Sequence, residues 1–215
     1  MFQESNPLAA LAMASFGAQA ALTSYAPWDN FFPAANGLDG VQFNVVSANG
    51  ITVAMGAHAY KNGVNLPNDG SSIFYAQSGV FAENPVKNFA NWSFDFAVDM
   101  SQSNCAGCTV GLLIDKDPTV LNNFFDIFFE LNGRISPAAA SGLDSWNMEM
   151  PFITAFYNFD PFSPSSTDFL LQVRDANGGV LAQSGITVNV PEPGSLALLG
   201  LGLAGLAASR RKRSV

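Results

Sequence analysis

Cys105-Ala106-Gly107-Cys108 contains the only two cysteines of the chain. A Cys-x-x-Cys supports three chemistries: dithiol redox exchange, half of a tetrahedral zinc site, or a short structural disulfide. Zinc would need two more ligands, and the chain offers one histidine, His58, plus carboxylates. A redox pair wants its first cysteine at a helix N-terminus, whereas this motif joins two predicted strands. His58 would also have to be the base of any Ser-His-Asp hydrolase. It falls between Ala57 and Ala59 in a predicted strand, and no Gly-x-Ser-x-Gly elbow occurs. We read His58 as a structural residue on a polar strand face. Asp115 and Asp117 lie two apart, and Asp95 and Asp99 lie two pleats apart. Such pairs bind calcium or flank a glycosidic bond, but in an acidic chain they read as solvated outer-face acids. No catalytic residue, metal site or cofactor is expected.

The elements that would carry these residues read as strands almost throughout. In Trp92–Met100, Trp92, Phe94, Phe96, Val98 and Met100 take one face, and Ser93, Asp95, Ala97 and Asp99 take the other, solvent-facing one. That is strict period two. Ile51–Met55 and Val41–Val45 alternate in the same way, while Val110–Asp115 and Phe152–Phe159 read as strands buried on both faces or at a sheet centre. Leu121–Leu131 has Phe at 124, 125, 128 and 129. The spacing fits a helix face and also an alternating strand, and strand is the expectation. Phe169–Arg174, a turn at Asp175–Gly179, Val180–Gln183 and then Ile186–Val190 read as a hairpin followed by a last strand. Eight or nine short strands predict an all-β fold, an antiparallel, jelly-roll-like β-sandwich. Its expected core includes Trp92, Phe94, Phe96, Val98, Leu113, Phe169, Leu171 and Val173.

Composition narrows the function. The chain has 215 residues, 48% of them apolar and only 12% charged, with 19 Phe. One sizeable core is therefore expected, and disorder is not. A net charge of −8 and a pI near 4.3 exclude a nucleic-acid binder, which needs a Lys/Arg footprint on the phosphates. The charge is also segregated. Residues 21–190 hold five Lys/Arg against fifteen Asp/Glu, whereas Arg210, Arg211, Lys212 and Arg213 stand together at the end. Body and tail are built for different surroundings.

Ser195–Ala208 is a fourteen-residue uncharged run followed at once by the basic cluster. As a helix it would span about 21 Å against a hydrocarbon core of about 30 Å. Snorkelling basic residues and local bilayer thinning can absorb that mismatch. We expect a single C-terminal transmembrane helix, with the basic cluster on the cytoplasmic side and the body outside. Just upstream stands Val190-Pro191-Glu192-Pro193-Gly194, which cannot continue a strand and favours an exposed, extended segment.

A Pro-Glu-Pro motif, a short apolar helix and a terminal Arg cluster, in that order, closely resemble the PEP-CTERM sorting signal of Gram-negative bacteria. The resemblance covers about the last 25 residues, and Pro191, Glu192 and Pro193 match the recognition motif. It implies that an exosortase, a membrane transpeptidase-like enzyme, reads the signal. The protein would then be exported, held transiently in the inner membrane, and delivered to the cell surface or extracellular matrix. The same module is also described as the C-terminal domain of some ice-binding proteins. Asn91–Asp95, Leu113–Pro118 and Arg174–Gln183 are similar to the β-rich ectodomains common among such proteins, from which no chemistry carries over.

Export requires an entry signal. Pro7–Leu22 is apolar and ends in the A-x-A pattern Ala18-Gln19-Ala20, although Met1–Asn6 lacks a basic residue. We expect a signal peptide over residues 1–20, truncated at its start by a start codon assigned too far downstream. An ectodomain over 22–190 and a sorting and anchoring segment over 191–215 complete the division. Export to an oxidising compartment makes the structural disulfide the expected state of Cys105 and Cys108. The expected partners are the exosortase, the secretion machinery and the inner membrane, with extracellular polysaccharide as a further candidate. The expected function is that of a non-enzymatic surface or matrix protein. The alternatives are a calcium-, carbohydrate- or ice-binding module, although no Thr-x-Thr ladder is present, and a hydrolase that would have to bring His58 near an acid and a Ser.

Overall fold

The computed structural model describes residues 23–24, 41–61, 65–81, 89–117, 119, 121–131 and 141–192. Among the described residues, ten strands form two five-stranded sheets. The first contains β1 (Thr23–Ser24), β2 (Gln42–Ala48), β3 (Ile51–Ala59), β5 (Trp92–Asp99) and β8 (Ser141–Trp146), in the order β1-β2-β3-β5-β8. The second contains β4 (Ile73–Tyr75), β6 (Thr109–Asp115), β7 (Phe124–Asp126), β9 (Ser165–Arg174) and β10 (Val180–Val190), in the order β4-β10-β9-β6-β7. The sheets meet through one core. Trp92, Phe94, Phe96 and Val98 of β5 pack there with Leu112 and Ile114 of β6 and with Phe169, Leu171 and Val173 of β9. The Phe94 and Phe169 rings stack at 4.5 Å across the sheets. Leu113 is buried, but its pleat turns it away from this core.

Local chemistry sets the turns. β2 and β3 are joined by Asn49-Gly50, with φ of 56° and 71°. Two positive-φ residues between paired strands make the turn whose twist suits a two-residue hairpin. A Cβ on Gly50 would also press on the Gln102 carbonyl, so glycine is required twice over. At the β9–β10 turn the Asp175 carboxylate accepts N–H bonds from Asn177 and Gly179.

Three expectations about elements are corrected. The pairing is mixed, because β4 runs parallel to β10. Residues 152–159 do not form a strand. Pro151 opens a one-turn helix, α2 (Pro151–Thr154), where its missing N–H costs nothing, and Phe152 packs on Trp146. Residues 121–131 are only partly strand, because Asp126 ends β7 by capping a second one-turn helix, α1 (Ile127–Glu130). Its carboxylate accepts from the Phe128 and Phe129 N–H groups. In addition, Val180–Gln183 and Ile186–Val190 belong to one continuous strand, β10, with an irregularity between Val180 and Ala182. The expected signal peptide at 1–20 and the expected membrane helix at 195–208 lie outside the described residues. No helix among the described residues is long and apolar enough to cross a membrane.

Candidate functional site

His58 of β3 and Asp95 of β5 project from the face of the first sheet that points away from the second. The register places Gly56 opposite Asp95 and Ser93 opposite His58. His58 Nδ1 lies 2.8 Å from Asp95 Oδ2, while the space beside Gly56 is taken by the Gln42 carbonyl and the Phe43 ring. Both residues are buried, Asp95 completely. This overturns the expectation that Asp95 is solvated, while His58 stands as a buried residue on the polar face of β3. Phe43, Ala54, Ala97 and Leu143 form a second small apolar cluster on the same side, so β5 is covered on both faces. Burial pushes the His58 pKa down, but the Asp95 charge and hydrogen bond outweigh it, and the net shift is upward. Ser93 is also buried, and its hydroxyl lies 3.4 Å from the Asn147 amide. The fold thus brings a histidine, an acid and a serine onto one buried surface, where His58 meets Asp95, Ser93 meets Asn147, and Asp95 Oδ1 has no hydrogen-bond partner.

Asn147 was not legible in the sequence. It is fully buried, its amide donates to the Ala90 and Trp92 carbonyls, and its Oδ1 accepts the Ala90 N–H. It ties β8 to the start of β5, and no local motif announces it.

The acids of the second sheet form a ladder. Asn122 Nδ2 donates to Asp168 Oδ2 at 2.7 Å and to Asp115 Oδ2 at 3.2 Å. The Thr187 hydroxyl donates to Asp168 Oδ1. Asp115 Oδ1 accepts the Asp117 and Asn123 N–H groups. Asp115 is only 1% exposed, so it too departs from the solvated reading. Burial raises its pKa, opposed by those N–H bonds and reinforced by Asp168 and Asp117. Asp117 lies past the end of β6, and its pKa is lowered by Thr119. Asp99 caps the Ser101 N–H. These carboxylates are occupied with donors from the protein itself. Among the described residues, no group of three or more His, Cys, Asp or Glu is placed to hold a metal ion.

Cys105 and Cys108 are bonded through their sulfurs, with Cα atoms 5.6 Å apart. The loop between β5 and β6 closes this tightly because Gly107 takes a φ of 77°.

β10 delivers the last candidate. Val190 is buried at the end of the strand, and Pro191 and Glu192 are exposed immediately after it. Pro193 lies outside the described residues. No curated protein and no solved structure matches the chain. Residues 189–212 match the family model of the PEP-CTERM protein-sorting motif. They begin on the last two residues of β10 and run through Pro191, Glu192 and Pro193 into the basic cluster. The chain therefore carries a PEP-CTERM protein-sorting motif, the mark of an exported protein handed to an exosortase.

Proposed function

We propose that this protein is an exosortase substrate that ends at the cell surface or in the extracellular matrix and works there as a non-enzymatic structural component. The match over residues 189–212 carries the reading. In it, the apolar run Ser195–Ala208 holds the precursor in the inner membrane, and processing near Pro191-Glu192-Pro193 releases the β-domain. Two features support a structural role for that domain. The buried acids at two of its clusters are engaged with neighbouring side chains, at His58–Asp95 and at Asp115–Asn122–Asp168. Its Cys-x-x-Cys is closed as a disulfide, which suits an oxidising destination.

The test replaces Pro191, Glu192 and Pro193 together with alanine in a host that carries the exosortase. The expected result is a full-length chain retained in the membrane fraction. A variant that reached the surface at the size of the processed protein would overturn the reading.

A further inference from the structure

We propose that folded β10 sets the upstream limit of processing, so that the bond cut by the exosortase is Val190–Pro191 or one beyond it. This rests on the sorting reading above and adds to it a boundary imposed by the fold. The matched motif begins at Asn189, two residues inside β10. The strand has no open edge there. Asn189 is opposite Ser166 of β9 on one side and Tyr75 of β4 on the other. Its carbonyl accepts the Ala76 N–H at 2.9 Å. Val188 and Val190 point into the core, 0% and 3% exposed. One peptide later the chain is exposed, at Pro191 and Glu192. Both edges are thus paired through Asn189, Val190 is buried and paired with Ser165 alone, and the chain is exposed from Pro191.

Processing breaks a peptide C–N bond. The acyl carbon bonds to the oxygen of water, or to the nitrogen or oxygen of an acceptor amine or hydroxyl, and the proton lost by that nucleophile ends on the new amino group. The enzyme needs several residues in extended form with their backbone edges free. At Thr187–Asn189 both edges are occupied, and freeing them means opening an inner strand, which costs close to the whole stability of the domain. Such openings are populated at about 10⁻³–10⁻⁶ of molecules. Pro191 and Glu192 need no opening, so the fold directs the enzyme downstream. The product keeps β10 whole, and with it the core that Val188 and Val190 help to fill.

The experiment measures the C-terminus of the product by intact mass and terminal-peptide sequencing after co-expression of the full chain with the exosortase. A product ending at Val190 or later is expected, and one ending at Asn189 or earlier would overturn the proposal. In parallel, the purified full chain is digested with a broad-specificity protease in native buffer and in urea. Cuts within 187–190 are expected only in urea, and equal cutting there in native buffer would also overturn it. A chain left uncut by the exosortase would refute the sorting reading, and this proposal with it, whatever the protease digest showed.

Discussion

His58 Nδ1 lies 2.8 Å from Asp95 Oδ2 across the β3–β5 pair, and the Asp95 side chain has no exposed surface. The two residues are 37 positions apart and meet because the β3–β5 register sets His58 opposite Ser93, the next pair on the same face after Gly56 and Asp95. A buried ion pair of this kind is costly to form and more costly to break on one side only.

The pair makes stability depend on pH in a definite direction. The folded His58 pKa is raised above its ordinary 6.5, so folded protein holds the proton more tightly than unfolded chain. Its contribution is fully present below about pH 6.5 and is lost as pH rises through the folded value. His58→Gln should therefore be destabilised most at pH 5.5. The difference between wild type and variant should shrink toward pH 8.5. Urea melts of both proteins at several pH values check this, and a constant difference would refute the assignment.

Phe96 is buried against Trp146 at 4.9 Å and Phe128 at 5.7 Å. Phe96→Ala should cost about 3–5 kcal/mol through lost burial and the cavity left behind. Asp95→Ala, one residue away on the opposite face, should cost a comparable 3–5 kcal/mol at pH 5.5, because protonated His58 would lose its counter-charge. Denaturant melts of the two variants test both faces of β5 at once. A near-neutral Asp95→Ala would mean that its face is wet after all.

The Cys105–Cys108 bridge closes a sequence separation of three. A loop this short removes little entropy from the unfolded chain, so replacing both cysteines by serine should cost at most about 2–3 kcal/mol. Thiol titration of the native secreted protein should find no reactive thiol. Two titrating thiols, or zinc bound one to one, would contradict the structural role.

A single carboxylate oxygen of Asp126, Oδ1, accepts the Leu112, Phe128 and Phe129 N–H groups. Asp126→Ala should cost about 1–2 kcal/mol as a lost helix cap. Hydrogen exchange should speed first at Phe128 and Phe129. Unchanged exchange at those amides would show that the cap does not hold α1.

The sequence by itself determined the strand identity of β2, β3, β5, β6 and β9, because apolar patterning is a local property that each segment carries alone. It also determined the sorting tail, since Pro191-Glu192-Pro193, an apolar run and a basic cluster are a linear signal. The elements it misjudged fail for physical reasons that are equally local but competing. At 124–130 a capping aspartate turns an alternating segment into strand plus helix, and at 151–154 a proline opens a turn inside an apolar run. Tertiary structure alone decided which faces are dry. A polar residue on an alternating strand reads as solvated, and only the second cluster around Phe43 and Leu143, together with the meeting of His58 and Asp95 from distant positions, buries that face. It also decided that the motif-bearing strand lies inside a sheet, flanked by β4 and β9. Strand order depends on pairings between segments more than a hundred residues apart, such as Val188 with Phe74, and no local pattern encodes them.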